Sequence, residues 1–369
     1  MSDRSAVTAT GGGSWARTAA SGIAVLALGV AGAWAAGPYI HGGSPAGASG
    51  RGEVAAVSTA AKPCATRTCY VAVNVATLWV RSVYPRPVDK PALANPANPR
   101  GWIKSMTLAQ KRWLVGKLQT QALYGTKVIV TGHPRPGWVK IAIPGQPTPK
   151  DSRGYPGYVP ARQLTSTAPV PATRSAVVRT KTASLWSAWT SAGPAGSRVM
   201  EVSYGTRLPV VASTPAYAVV KLIGGREVAV RRGNVVLHKA GTSWNATGAK
   251  LVAEAKKFLG LQYLWAGTSG FGFDCSGFTH TLYAAFGIRL PRDADRQAVH
   301  GRSVASNSLR PGDLVFFRSS ATGPIIHVGM YVGSGKMIDA PHTGAPVRIE
   351  SVWRFGHYAG ARRYLPGSG

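Results

Sequence analysis

The sequence predicts a multidomain protein in which two small all-β barrels precede an α+β domain. Three observations support this prediction. A chain of 369 residues is long enough for two or three domains. Short strand-like segments broken by Gly and Pro occur in two similar sets before residue 240. After residue 245, helical periodicity is followed by strand patterns.

The charge balance indicates an anionic partner. Only 13 carboxylates face 43 Lys and Arg residues, which gives a formal net charge of +30. Such a surplus is typical of proteins that meet nucleic acid, a membrane surface or an acidic cell-envelope polymer. Nucleic acid is disfavoured because the basic residues are scattered and the sequence shows no helix-turn-helix, zinc-finger or stacking-aromatic signature. We therefore expect anionic cell-envelope polymers as partners.

Residues 1–36 are predicted to be a secretory signal peptide. An apolar run follows Arg4 and Arg17 and ends in the small-residue pattern AWA at 33–35. An uncleaved membrane anchor is the alternative, since the run is almost long enough to span a bilayer. Residues 37–62, rich in Gly, Ala and Ser, are predicted to form a flexible tether. We expect a secreted protein, extracellular or wall-associated, with no stable membrane partner after cleavage.

The three cysteines fit an exported protein. Cys64 and Cys69 are separated by four residues and are predicted to form a disulfide, with two unpaired thiols as the alternative. That pairing leaves Cys275 as an unpaired and therefore reactive candidate. We expect no cofactor and no metal site, because neither C-x-x-C nor H-E-x-x-H occurs.

The first predicted barrel covers residues 63–165. Residues 84–101 carry five prolines and are expected to form a long loop, and residues 107–120 are expected to form a short amphipathic helix. Strand patterns occur at 71–80, 122–125, 127–131, 138–143 and 154–160.

The second predicted barrel covers residues 166–240. YGTKV at 124–128 is echoed by YGTRL at 204–208, and ATLW at 76–79 is echoed by ASLW at 183–186. We interpret the two sets as diverged copies of one module. Strand patterns in the second set occur at 176–180, 183–186, 207–212, 217–222 and 227–231.

The third predicted domain covers residues 245–369. Apolar residues at helical spacing predict a helix over 251–259 and another that begins near Cys275 and ends near Gly287. Helices followed by an antiparallel sheet predict an α+β domain. The strand patterns of that sheet occur at 313–317, 325–332, 336–340 and 347–349.

Cys275 is the candidate nucleophile, because it stands where a glycine-rich loop becomes a helix. A thiol at a helix N-terminus meets the positive end of the helix dipole, which favours the thiolate. His327 lies inside an apolar strand, and a hairpin turning about Ser334 would place Asp339 diagonal to it on the same face. Asp339 would then hold one ring nitrogen while the other faces Cys275. Taken one at a time, each residue also has a non-catalytic alternative: Cys275 as a core thiol, His327 as a core histidine and Asp339 as a turn carboxylate.

The region from about residue 250 to 364 resembles the NlpC-type cysteine peptidases of bacterial cell walls. It carries, in order, Tyr263, FDCSGF at 273–278, LPRD at 290–293, LRPGDLVFF at 309–317 and HVGMYVG at 327–333. The resemblance implies a papain-like fold with Cys275 as nucleophile, His327 as base and Asp339 as the third polar group, where many relatives carry His. His342 is the fallback for that third position.

The resemblance also implies roles around the triad. Tyr263 would help bind the oxyanion, and Asp274 and Ser276 would face the amino end of the substrate. Arg292 and Asp293 match a further substrate-side motif, although Ala294 stands where relatives often have Ser.

The region before residue 245 resembles the two bacterial SH3-like barrels that precede this catalytic domain in γ-D-glutamyl-L-diamino-acid endopeptidases. In those proteins the first barrel walls one end of the cleft and restricts substrates to stem peptides with a free N-terminal L-Ala. Relatives tend to have Glu where this chain has Thr126, which leaves Asp274 and Asp89 as candidates for the amine-recognising carboxylate. Tyr155 is a further candidate on the barrel side, with ordinary barrel packing as its alternative.

The function predicted from the sequence is hydrolysis of the γ-D-Glu to L-diamino-acid bond of peptidoglycan stem peptides by a secreted cysteine peptidase. The diamino acid is expected to be meso-diaminopimelate or Lys, and the substrates are expected to have a free N-terminal L-Ala. One alternative is an amidase or acyltransferase that uses the same triad on another acyl donor. The other is a wall-binding protein without hydrolytic activity, held by its barrels and its positive charge.

Overall fold

A computed structural model describes residues 62–365 of the chain. The predicted signal peptide and nearly all of the predicted tether lie outside these residues. Within them, no helix combines the length and the apolar character that crossing a membrane requires.

The first β unit is a seven-stranded antiparallel sheet. Its strands are β1 (Thr68–Val71), β2 (Val75–Trp79), β3 (Leu118–Leu123), β4 (Lys127–Arg135), β5 (Trp138–Ile143), β6 (Tyr155–Pro160) and β7 (Leu164–Thr165). They pair in the order β3-β2-β6-β5-β4-β1-β7 around an apolar core. The predicted disulfide between Cys64 and Cys69 is confirmed at the start of this unit.

Between β2 and β3, the structure corrects the sequence-based expectations. The proline-rich stretch holds α1 (Lys90–Leu93) and α2 (Pro99–Ser105), and α3 (Leu108–Trp113) is much shorter than the helix predicted over 107–120. Buried Asp89 organises the stretch, since its carboxylate accepts hydrogen bonds from the Arg86 side chain and from the Trp102 indole at 2.8 Å. Beyond α3 the chain turns at Gly116, which has a positive φ of 71°, and enters β3.

The second β unit repeats the topology of the first. Its strands are β8 (Arg174–Val178), β9 (Thr182–Thr190), β10 (Gly193–Ser203), β11 (Arg207–Ser213), β12 (Tyr217–Lys221), β13 (Glu227–Arg231) and β14 (Val235–Lys239). Their order, β10-β9-β13-β12-β11-β8-β14, is the first order with each strand advanced by seven. The interpretation as two copies of one module is therefore confirmed at the level of topology. The sequence patterns missed β10, because glycines at 193 and 196 interrupt its start, and they also missed β14.

The last unit places helices before an antiparallel sheet, as predicted. The helices are α4 (Gly248–Lys256), α5 (Cys275–Ala285) and α6 (Ala294–Val299), and a small hairpin pairs β15 (Thr268–Ser269) with β16 (Gly272–Phe273). The sheet has the order β17-β22-β18-β19-β20-β21. Its strands are β17 (Arg302–Val304), β18 (Leu314–Arg318), β19 (Ile325–Gly333), β20 (Lys336–Asp339), β21 (Arg348–Ser351) and β22 (His357–Arg363). The sequence patterns missed α6, β17 and β22.

Two equivalent tyrosines join the three units. Tyr124, directly after β3, is buried in the core of the second unit, and its hydroxyl accepts a hydrogen bond from the Ile223 amide at 2.6 Å. Tyr204, directly after β10, is buried in the core of the last unit and packs edge-on against Phe258, with 5.1 Å between ring centroids. Each β unit therefore inserts the tyrosine of its repeated Tyr-Gly turn into the following unit.

Replacing Tyr204 by Ala is expected to lower the free energy of unfolding by about 3–5 kcal/mol, because it opens a large cavity in the core of the last unit. Tyr217→Ala, a partly buried tyrosine of β12, is the matched control and should cost much less. Thermal and urea unfolding would measure both variants. Equal losses of stability would contradict the role assigned to Tyr204.

Candidate active site

Cys275 is the first residue of α5. Asp274 caps the helix in an extended conformation, and its Oδ1 accepts a hydrogen bond from the Gly277 amide at 2.6 Å. The cap places the sulfur at the positive end of the helix dipole, where negative charge is stabilised. Gly277 is needed in this turn because a Cβ there would lie 2.0 Å from the Gly267 carbonyl oxygen. Cys275 is a free thiol, 9% exposed, and lines a cavity of about 620 Å³.

His327 and Asp339 meet across the β19–β20 hairpin. The register pairs Met330 with Ile338, and its continuation brings Asp339 opposite Gly329 and diagonal to His327, as the sequence predicted. His327 Nε2 lies 2.7 Å from Asp339 Oδ2, and both side chains are buried. The ring is also stacked on Phe355, with 4.2 Å between centroids. These contacts fix the imidazole and leave its other nitrogen available to Cys275, whose proximity acts to raise the pKa of the ring.

The environment of His327 favours the imidazolium. Burial acts to lower the pKa of this side chain, but hydrogen bonds and charge interactions with Asp339 and Cys275 outweigh burial and raise the pKa to about 9. At neutral pH the ring therefore carries a proton that it can donate. Its positive charge also stabilises negative charge on the neighbouring sulfur.

Tyr263 lines the same cavity and is buried. Burial, together with the nearby Cys275 and Asp274, raises the pKa of the phenol well above its ordinary value. The hydroxyl therefore keeps its proton and can act as a hydrogen-bond donor next to the nucleophile.

Arg292 ties the start of the catalytic helix to the first β unit. Its guanidinium is fully buried and lies 2.7 Å from Asp274 Oδ2, 2.9 Å from Ser276 Oγ and 3.0 Å from Thr120 Oγ1 of β3. Asp274 and Ser276 line the cavity, but Arg292 already binds both of their side chains, and their predicted contact with the amino end of the substrate stays a prediction. The structure shows all three in a supporting network behind the nucleophile.

Tyr155 and Asp293 form the opposite wall of the cavity. The Tyr155 hydroxyl, contributed by β6, lies 2.8 and 3.0 Å from the two carboxylate oxygens of Asp293. Lys150 completes the group, since its Nζ lies 3.1 Å from Asp293 Oδ2 and contacts the Tyr155 hydroxyl. No sequence motif marks Lys150 or its neighbour Gln119, because both lie in the first β unit, outside the motifs of the catalytic domain.

Three other residues considered from the sequence lie elsewhere or play different parts. His342 lines the cavity but is exposed, and its Nδ1 lies 3.2 Å from the Thr343 carbonyl oxygen, so Asp339 is the residue that holds His327. Thr126, which stands where relatives tend to have Glu, lines a different cavity together with Arg207 and His280. Asp89 is wrong as a candidate for the amine-recognising carboxylate, because its carboxylate is buried against Arg86 and Trp102.

A thiol at a helix start, an imidazolium against it and a buried carboxylate behind the ring define a cysteine peptidase. A sequence model of the NlpC/P60 family matches residues 260–359. The chain is 40% identical over 308 residues to the gamma-D-glutamyl-L-lysine dipeptidyl-peptidase of Bacillus cereus, and the alignment covers 80% of this chain and 91% of that protein. It is 37% identical over 278 residues to the Bacillus subtilis protein of the same name, and this alignment covers 74% of this chain and 90% of that protein.

The fold agrees with the sequence match. The crystal structure of an NlpC/P60 family protein from Bacillus cereus superposes with a TM-score of 0.73 and 39% identity, over 81% of this chain and 100% of that chain. The chain therefore belongs to the NlpC/P60 family of cysteine peptidases, and the resemblance drawn from its motifs is confirmed.

The pKa of His327 predicts the alkaline limit of activity. Hydrolysis of a peptide amide needs the imidazolium as proton donor, so kcat/KM should fall as pH rises through about 9. Asp339→Asn removes the carboxylate that raises this pKa, while burial continues to lower it. The alkaline midpoint should therefore move down by more than about one pH unit.

Asp295→Asn is the control for this pH profile, because Asp295 lines the cavity but is exposed and pairs with Arg296. Its alkaline midpoint should match that of the unmodified protein. An Asp339→Asn profile with an unchanged midpoint would contradict the pairing of His327 with Asp339.

Proposed function

We propose that this protein hydrolyses the γ-D-Glu to L-diamino-acid amide bond of peptidoglycan stem peptides, with meso-diaminopimelate or Lys as the diamino acid. The observation that carries the proposal is the Cys275–His327–Asp339 arrangement in a cavity that is lined in part by the first β unit. The names of the two Bacillus relatives, matched over about nine-tenths of their length, support the same bond.

The contribution of the first β unit to the cavity supports a short substrate. Leu118, Gln119, Lys150 and Tyr155 all come from the first β unit and all line the cavity that holds Cys275. Side chains of a separate unit in this cavity restrict the space for residues before the scissile bond. We infer that the substrates are stem peptides that begin at the N-terminal L-Ala.

In the proposed reaction, the Cys275 sulfur attacks the γ-carbonyl carbon of D-Glu. The Tyr263 hydroxyl and the Cys275 backbone N–H donate hydrogen bonds to the resulting oxyanion. His327 gives its proton to the leaving amine as the C–N bond breaks, which leaves a thioester on Cys275. His327 then takes a proton from water, the hydroxide attacks the thioester, and the acid is released with regeneration of the thiolate.

We infer that the two β units are bacterial SH3-like barrels and that the last unit is a papain-like domain. The repeated strand order supports a shared small-barrel topology for the β units. A nucleophile at the start of α5, docked on an antiparallel sheet that carries the base, supports the papain-like assignment.

Cys275→Ala is expected to reduce hydrolysis of a defined L-Ala-γ-D-Glu-L-Lys peptide by at least about a thousandfold, because no other side chain replaces the attacking sulfur. Mass spectrometry of the released dipeptide would measure this loss, and a thermal melt would show that the variant is folded. Unchanged turnover would refute the assignment. Cleavage of a model lipid ester without cleavage of the peptide would favour the alternative of an amidase or acyltransferase that acts on another acyl donor.

A second, compatible role is retention on anionic envelope polymers. The second β unit, residues 174–239, contains ten Lys and Arg residues but only Glu201 and Glu227 as carboxylates. Both carboxylates are already paired, with Arg100 and Lys221 respectively. The exposed basic residues of this unit are Arg174, Arg198, Arg207, Arg226, Arg231 and Lys239. The confirmed disulfide supports an exported, oxidising location for such binding.

Charge-based retention predicts salt dependence. Binding of the Cys275→Ala variant to an immobilised anionic wall polymer should weaken steeply between about 0.05 and 0.5 M salt, since screening shortens the range of surface charges. Replacing Arg226 and Arg231 together by Gln should weaken retention at low salt without changing peptide hydrolysis. Retention that is independent of salt would contradict this role.

A further inference from the structure

The part of the active-site cavity lined by the first β unit contains an ion pair that the proposed reaction does not use. Lys150 lies in the loop between β5 and β6, and its Nζ is 3.1 Å from Asp293 Oδ2 and 3.5 Å from Gln119 Oε1. The ammonium also contacts the Tyr155 hydroxyl and lies 4.4 Å from the centroid of that ring. All four residues line the cavity that contains Cys275.

The Lys150 ammonium binds the Asp293 carboxylate, which the N-terminal ammonium of a substrate would also need. A free N-terminal amine is recognised by a carboxylate and by neutral oxygen acceptors, and Asp293 with Gln119 supplies both. Asp274 offers no substitute, because Arg292 lies 2.7 Å from one of its oxygens and its other oxygen caps α5. Asp295 is exposed and pairs with Arg296 at 3.2 Å. Each carboxylate of the cavity therefore already has a cation from the chain itself.

Lys150 can leave this position at low cost. Its side chain is 43% exposed, whereas the Asp293 side chain is 27% exposed. An ion pair of this kind contributes little to stability, and a lysine stem is flexible. An incoming ammonium must nevertheless displace Lys150 or share Asp293 with a like charge. A peptide whose N-terminus is acylated carries no charge there and leaves the pair undisturbed.

We propose that Lys150 determines specificity by competing with the N-terminal ammonium of the substrate for Asp293. Because of this competition, the protein discriminates weakly between stem peptides with a free N-terminus and those with an acylated N-terminus. This inference rests on the proposed function. It adds that Lys150 is the residue that sets the preference between free and acylated N-termini of the substrate.

The test compares Lys150→Met with the unmodified protein on two peptides, L-Ala-γ-D-Glu-L-Lys and its N-acetyl derivative. Met keeps the unbranched apolar stem and removes the charge. The ratio of kcat/KM for the free peptide to that for the acetylated peptide should rise about fivefold, mainly through a lower KM for the free peptide. Lys150→Arg, which keeps the charge, should leave the ratio close to that of the unmodified protein.

Lys221→Met is the matched control. Lys221 Nζ lies 3.7 Å from Glu227 Oε1 on the second β unit, and its side chain is 36% exposed, so the variant loses the same charge and a similar ion pair away from the cavity. Its ratio should not change. An unchanged ratio in Lys150→Met, or an equal fall in activity on both peptides, would overturn the proposal.

A binding measurement separates this inference from the proposed function. Calorimetric titration of L-Ala-γ-D-Glu into Cys275→Ala, with and without Lys150→Met, needs no turnover. Tighter binding of the free dipeptide after removal of Lys150, with no gain for its N-acetyl form, supports the inference. Equal affinities in both proteins overturn it. Failure of the unmodified protein to cleave either peptide would refute the proposed function, and the titration would still decide the role of Lys150.

Discussion

The active site depends on the buried contact between Arg292 and Asp274. A guanidinium with 1% exposure is stable in the interior only because it is matched by a carboxylate and by further acceptors. Asp274 is at the same time the cap of the catalytic helix, so the ion pair fixes the direction in which Cys275 leaves the preceding loop. Through Thr120, the same guanidinium fixes the position of the first β unit against that helix. Nucleophile, helix start and cavity wall are thus held by one side chain.

The first β unit lies next to the catalytic domain and also contributes residues to the active site. Gln121 of β3 accepts hydrogen bonds from the Thr268 amide at 3.1 Å and from Ser269 Oγ at 2.8 Å. These contacts hold the small hairpin that leads into the nucleophile. With the Tyr155 hydroxyl on β6 against Asp293, the unit supplies both support for the catalytic loop and part of the lining of the cavity that contains Cys275. The catalytic domain alone contains the triad but lacks this wall.

The features predictable from sequence were those with a local signal. A glycine-rich loop before an amphipathic pattern located the start of α5, and the turn at Ser334 gave the register that brings Asp339 to His327. Missed elements lacked such a signal: β10 is interrupted by glycines, and β22 has no clean alternation of apolar and polar residues. Lys150 and Gln119 were missed for another reason, since their role arises only when a loop of the β unit meets the last unit. Asp89 was a wrong candidate for the amine-recognising carboxylate, because the sequence does not reveal that its carboxylate is buried against Arg86 and Trp102.

The paired tyrosines have a consequence for how the chain comes apart. Tyr124 belongs to one unit by sequence and to the next by packing, and Tyr204 repeats that arrangement one step further along. Unfolding of a β unit therefore removes a tyrosine from the core of the following unit, and unfolding of the following unit exposes that tyrosine to water. Because each unit contributes a core residue to the next, the three units are expected to unfold cooperatively. The connections between them should therefore resist proteolysis better than flexible linkers between independent domains.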